Sequence, residues 1–310
     1  MKLDINGILN AQRLAITRAL SFVENTNDLD MSLTDALFPN LGKAYRIGIT
    51  GPPGAGKSSL VDRLIGYWRA ADKKVAIISV DPTSPFTGGA ILGDRVRMGR
   101  HYADKNVFIR SMATRGSQGG LALRAQDAAD VFDAAGFDII MYETVGVGQV
   151  ELDVAQAADT TVVVLVPESG DDIQAMKAGL MEIADLFVIN KADRQGANQA
   201  FAQIQAMLEM RHPEDGIWAA QVVKTSALQG EGMTSLTDAI EAHQDFLHKT
   251  GIIRQNFRQR TRAKIQTRVE KNILNEFWNP QKQAMLDEVL ETENLELLSP
   301  SQIVNSILNN

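Results

Sequence analysis

Seven short apolar runs between residues 45 and 227 constrain this chain more than any other feature. They are YRIGIT (45–50), KVAIISVD (74–81), NVFIRSMA (106–113), FDIIMYETVG (137–146), TTVVVLVP (160–167), DLFVINKAD (185–193) and WAAQVVKTSA (218–227). Helix-length stretches such as SSLVDRLIGYWRAA and GGLALRAQDAADVFDAAG lie between them. A strand that is apolar throughout has both faces buried, and helices between such strands are the crossovers a parallel sheet needs. The expected fold is α/β, a mainly parallel central sheet covered by helices. Ligands of such sheets bind beyond the carboxyl ends of the strands. Asp81, Glu143, Asn190 and Ser226 all lie at those ends, which places the chemistry at one edge.

The first apolar run leads into Gly51, Pro52, Pro53, Gly54, Ala55, Gly56, Lys57, Ser58 and Ser59. The spacing Gly-x-x-x-x-Gly-Lys-Ser between a strand and a helix is the phosphate-binding P-loop pattern. Glycines let main-chain N–H groups turn inward around a phosphate, and the following helix aims its positive end at the same anion. Lys57 is expected to reach the outer phosphates, and the Ser58 hydroxyl to ligate Mg²⁺. Downstream, NKAD (190–193) follows a buried strand. The Asp193 carboxylate can accept from guanine N1–H and from its exocyclic amine, a donor pair that adenine lacks. Asn190 braces that loop, and the Lys191 stem lies along the ring. TSAL (225–228) supplies Ser226, Ala227 and Leu228, whose main-chain N–H groups can meet the guanine oxygen.

Three acids sit where a triphosphate sensor belongs: Asp81, Asp94 in the Gly/Pro/Ser/Thr-rich segment that follows it, and Glu143 in ETVGVGQ. Each can hold Mg²⁺ or its waters. With Lys57 they form the expected catalytic set, and Gly146 can offer its N–H to the γ-phosphate. Gly146 is followed by Val147, and Gln149 comes later, so the usual water-orienting glutamine is displaced. No arginine finger stands out among Arg95, Arg97, Arg110 and Arg115. Slow intrinsic turnover follows, as expected of a timer or switch.

The 310 residues carry a net charge of −7 and no cysteine, which argues against a general nucleic-acid binder, a cysteine metal site or a thiol nucleophile. The amino terminus lacks a signal-peptide core and no run is long enough to span a membrane, so a cytoplasmic protein is expected. Residues 7–24 place Leu9, Ile16, Leu20 and Val23 on one helical face. From about residue 249 a long helical stretch mixes apolar residues with Arg254, Arg258, Arg260, Arg262, Lys264 and Arg268. These bases are expected on a solvated or dimer-facing helix, and Ile265, Val269 and Ile273 share one stripe. The expected organisation is an N-terminal helical extension (1–41), a nucleotide-binding domain (42–248) and a helical arm (249–310).

GPPGAGKSSL, VDPTSPFTGGAILGDRVRM, ETVGVGQVE, VPESGDDIQAMKAGLMEIADLFVINKAD and TSALQGEG together resemble the MeaB/ArgK family, the GTPases associated with methylmalonyl-CoA mutase. Glutamate in place of the usual switch aspartate is part of that family's pattern. The resemblance implies a homodimeric P-loop GTPase that gates cofactor loading and protects an adenosylcobalamin-dependent acyl-CoA mutase. It maps Lys57, Ser58, Asp81, Asp94 and Glu143 to nucleotide, Mg²⁺ and switch positions. It maps residues 167–177 to a segment that relays nucleotide state to the mutase, with Asp171 and Asp172 within it and Lys177 as the contact. The C-terminal helices map to a dimerisation arm. Other classes sharing this core are nickel-type metallocentre chaperones, which carry Cys and His clusters, and kinase or transport-associated ATPases, against which NKAD argues.

Overall fold

The computed structural model describes residues 3–25, 31–81, 98–113, 120–144, 150–168, 180–210, 216–291 and 299–309. All seven apolar runs form strands: β1 (Tyr45–Thr50), β2 (Val75–Asp81), β3 (Val107–Ala113), β4 (Ile139–Thr144), β5 (Thr160–Leu165), β6 (Leu186–Ile189) and β7 (Gln221–Lys224). They pair in the order β3-β2-β4-β1-β5-β6-β7. Each pairing is parallel. The helices are α1 (Ile5–Leu9), α2 (Arg13–Asn25), α3 (Ser32–Leu37), α4 (Lys57–Ala70), α5 (Gly120–Ala134), α6 (Val150–Ala157), α7 (Leu180–Ile183), α8 (Ala197–Glu209), α9 (Met233–Thr250), α10 (Ile252–Phe277), α11 (Pro280–Leu290) and α12 (Pro300–Asn309).

Every residue of β1, β4, β5 and β6 is buried, because successive side chains enter cores on opposite faces. Ile47 and Ile49 of β1 pack with Leu60, Leu64 and Trp68 of α4 and with Leu236 and Ile240 of α9. On the other face, Ile78 and Tyr142 join Ile16 and Leu20 of α2 and Phe132 of α5. A smaller core lies between Val163, Phe187 and Ile189 and the α8 residues Ala200 and Ile204. Arg13 of α2 donates to Val107 O at 3.1 Å, and Arg110 of β3 donates to Glu24 Oε1 at 2.7 Å, so α2 ties down the β3 edge. At the opposite edge β7 is shorter than its apolar run and partly exposed. Trp218 lies outside that strand, against His243 at 4.6 Å between ring centres.

Residues 7–24 are not one helix. Ala11 takes φ +56° and the Gln12 N–H donates to Gly7 O at 2.9 Å, which closes α1 before α2 begins. Leu9 is consequently partly exposed, while Ile16 and Leu20 are buried.

The described residues through Thr261 belong to one compact unit, and those from Arg262 onward to a second. Ile252 and Ile253, at the start of α10, pack on the first unit's core. The same stretch corrects the reading of the basic run. Arg260 is buried and donates to Asp159 Oδ1 at 2.5 Å, so it is neither solvated nor partner-facing. Asp159 Oδ2 accepts the Arg46 N–H at 3.0 Å. The second unit comprises the rest of α10 with α11 and α12. Asn279 caps α11 by accepting from the Lys282 N–H at 2.9 Å, and the Lys282 ammonium donates to Ile307 O. Ile265, Val269 and Ile273 are half or more exposed, at 55%, 50% and 58%. Among the described residues, no helix is long and apolar enough to cross a membrane.

Candidate functional site

The loop between β1 and α4 is shaped by two contacts that only glycine permits. Gly51 takes φ +135°, and a Cβ there would lie 2.1 Å from Val164 O of β5. Gly56 takes φ +88°, and a Cβ there would lie 2.4 Å from the Asn190 side-chain nitrogen. Pro53 and Gly54 form the exposed tip, and Pro52 and Ser59 are half-buried. No side chain caps the amino end of α4, which leaves its first main-chain N–H groups to an anion. Lys57 is buried and its ammonium donates to Gly51 O at 2.7 Å and Pro52 O at 2.9 Å, so it is folded back within the loop. Ser58 Oγ donates to Glu143 Oε1 at 2.6 Å.

Asn190 joins the phosphate side to the base side. Its amide donates to Ala55 O at 2.8 Å, and its oxygen accepts from Thr225 Oγ1 and from the Ala227 N–H, both at 3.1 Å. Lys191 has φ +57°, which turns the chain sharply after β6. Asp193 Oδ1 accepts from Ser226 Oγ at 2.6 Å. That hydrogen bond holds the exposed Asp193 carboxyl below the usual carboxylate range, so it is a ready acceptor at neutral pH. Leu228 is exposed beside them.

The structure thus brings Gly51, Gly56, Lys57, Ser58, Glu143, Asn190, Asp193, Ser226 and Ala227 to one end of the sheet, as the strand ends require. Asp81 closes β2, where Val80 pairs with Thr144 beside Glu143. Asp94, Gly146, Asp171, Asp172 and Lys177 lie outside the described residues. Arg110 pairs with Glu24. Thr225 was missed as a brace for Asn190, although its place in TSAL marked the loop.

A family model for the methylmalonyl-CoA mutase-associated GTPase MeaB matches residues 16–282. A Pyrococcus abyssi protein is 44% identical over 306 residues, covering 98% of this chain and 94% of its own. The GTPase ArgK of Escherichia coli is 35% identical over 279 residues, 88% of this chain and 84% of that protein. The mitochondrial methylmalonic aciduria type A homolog of Mus musculus is 31% identical over 288 residues, 87% of this chain and 69% of that protein. Among solved structures, an LAO/AO transport system kinase is similar with a TM-score of 0.73 at 28% identity, covering 98% of this chain and 95% of that one. With a phosphate loop, a guanine-type base loop and a family match over most of its length, the chain belongs to the MeaB family of methylmalonyl-CoA mutase-associated P-loop GTPases.

Proposed function

We propose that this chain binds GTP with Mg²⁺, hydrolyses it slowly, and uses its nucleotide state to control cofactor loading and protection of an adenosylcobalamin-dependent acyl-CoA mutase, methylmalonyl-CoA mutase being the first candidate. The observation that carries the nucleotide part is Asp193, oriented by Ser226 beside an Asn190 that clamps the phosphate loop. A carboxylate in that place pairs with the two guanine donors and is left unpaired by adenine.

Ser58 Oγ and the Glu143 carboxylate are hard oxygen donors in contact with each other beside the loop, which suits Mg²⁺. Magnesium usually takes only one or two carboxylates besides phosphates and water, so no larger acid cluster is needed. When bound, the ion neutralises charge on the β- and γ-phosphates. Asp81 and Asp94 are the further candidates for its shell. Lys57 leaves the Gly51 and Pro52 carbonyls to meet the outer phosphates, and the amino end of α4 holds the charge that develops. Water attacks the γ-phosphorus, the bond to the β–γ bridging oxygen breaks, and GDP and phosphate leave. With Val147 after Gly146, water is poorly oriented and turnover is slow.

Residues 167–177 would relay nucleotide state, with Asp171, Asp172 and Lys177 meeting the mutase. Where that segment begins, Glu168 pairs with Arg194 at 2.7 Å, immediately after the base-reading Asp193. The exposed Ile265, Val269 and Ile273 stripe would form a homodimer through the arm, in the cytoplasm.

The nucleotide part is tested by Asp193→Asn. Replacing one acceptor oxygen with a donor opposes the guanine donors and fits the xanthine carbonyl instead. GDP affinity should fall at least a hundredfold, on the order of 3 kcal/mol, with xanthosine diphosphate gaining. Unchanged GDP affinity in calorimetry would sink the assignment.

A further inference from the structure

We propose that Arg63 is the positioning residue that aims the base-reading loop at the guanine O6, an inference that rests on the guanine reading above. Arg63 lies on α4, the helix of the phosphate loop, and is half-buried. Its Nε donates to Ala227 O at 2.8 Å and its Nη2 to Leu228 O at 2.6 Å. Among the described residues it forms no ion pair with a carboxylate. The guanidinium fork therefore grips two successive main-chain carbonyls, a geometry a lysine cannot reproduce.

The consequence follows from peptide planarity. In a trans peptide the N–H points opposite to the C=O. Drawing Ala227 O and Leu228 O toward α4 turns the N–H groups of Leu228 and Gln229 away from it. The other N–H groups of this loop are engaged. Ser226 N–H donates to Glu231 O at 3.0 Å, Gly230 N–H to Ser226 O at 2.8 Å, and Ala227 N–H to Asn190 Oδ1 at 3.1 Å. Those of Leu228 and Gln229 make no hydrogen bond among the described residues. They are donors awaiting an acceptor, at a residue that is 80% exposed. A cation on the carbonyl side also polarises each peptide and strengthens the N–H as a donor. The base-reading groups thus divide. Asp193 accepts from N1–H and the 2-amine, and the Arg63-held peptides donate to O6.

The test uses the full chain and four nucleotides, GDP, 6-thio-GDP, IDP and ADP, titrated by calorimetry. The sulfur of 6-thio-GDP is a larger and weaker acceptor at position 6 that leaves both donors to Asp193 in place, and IDP lacks only the 2-amine that Asp193 reads. The parent should prefer GDP over 6-thio-GDP by about tenfold, the worth of one hydrogen bond. Arg63→Met, which keeps the apolar stem, should reduce that preference to about twofold or less while leaving the preference for GDP over IDP unchanged. Arg63→Lys should fall between, and it carries the same test if the methionine variant does not fold. A parent without preference for GDP over 6-thio-GDP overturns the proposal, as does parental discrimination in a folded variant. Equal weakening of GDP, 6-thio-GDP and IDP overturns it in favour of simple support for α4. A parent that binds ADP as well as GDP defeats the guanine reading itself, which separates the two failures.

Discussion

Ser58 Oγ donates to Glu143 Oε1 across 2.6 Å, joining the first turn of α4 to the end of β4 from positions 85 residues apart. The pair sets a hydroxyl and a carboxylate side by side next to the phosphate loop, where an Mg²⁺–triphosphate needs oxygen donors. Glu143→Gln keeps the size and removes the charge. Hydrolysis in Mg²⁺ should drop on the order of a hundredfold, since loss of one well-placed electrostatic partner costs that much. GDP affinity without Mg²⁺ should hold within about threefold, because the glutamine does not touch the base site. Single-turnover hydrolysis and calorimetry check both. Wild-type turnover in the variant would remove Glu143 from the site.

A polar chain at the other end of the sheet, with Thr160 and His243 buried and Asp185 part-exposed, gives a pH prediction. Thr160 Oγ1 lies 2.7 Å from His243 Nδ1, and His243 Nε2 lies 3.6 Å from Asp185 Oδ1. Burial, aided by the nearby Asp159 charge and opposed by the Thr161 N–H, pushes the Asp185 carboxyl up to about 7. Burial pushes the His243 imidazole down to about 4. Between those values the folded pair carries its proton on Asp185, while the unfolded chain carries it on the histidine up to about pH 6.5. The proton counts match, so the pair adds little pH dependence there. Single substitutions expose the two halves. In His243→Gln the raised Asp185 remains, so stability relative to the parent should fall as pH rises from about 4 to 7. In Asp185→Asn the lowered His243 remains, so relative stability should rise with pH between about 4 and 6.5. Tm against pH for the parent and both variants checks this, and parallel curves would contradict it.

The arm has a sharp boundary, between Thr261 and Arg262. Ile252 and Ile253 pack on the core of the first unit, and Arg260 neutralises an Asp159 whose side chain is fully buried. Truncation after Gly251 should leave that carboxylate without its cation and destabilise the core by about 3–5 kcal/mol. Truncation after Thr261 should preserve the fold and GDP binding, and give a monomer by removing the exposed stripe. Denaturation and light scattering on the two truncations decide it. A dimer persisting after the second cut would place the interface elsewhere.

The sheet was legible because strands buried on both faces read as unbroken apolar runs, and because P-loop and NKAD spacings follow local geometry. The convergence of Asn190, Asp193, Lys57, Ser58 and Glu143 on one end of the sheet was legible for the same reason, each standing in a helix's first turn, at a strand end or in the loop just after one. The break at Ala11 was not, since a left-handed alanine leaves no mark in periodicity. Arg260 and Arg63 were not, because their partners are more than a hundred residues away in sequence and basic residues on helices usually face water. Long-range pairing of that kind exists only once the sheet has brought the chain together.

In the proposed function, nucleotide state and mutase binding are coupled. If the mutase prefers one nucleotide state, linkage requires it to change nucleotide affinity by the same factor in return. The direct measurement is GDP and GTP-analogue affinity, with single-turnover hydrolysis, in the presence and absence of a purified cognate mutase. The mutase should shift the ratio of the two affinities at least fivefold, about 1 kcal/mol, and speed hydrolysis. Lys177→Ala should shrink both effects while basal hydrolysis stays near the parent's. A mutase that binds the protein yet moves neither affinity nor rate would contradict the claim.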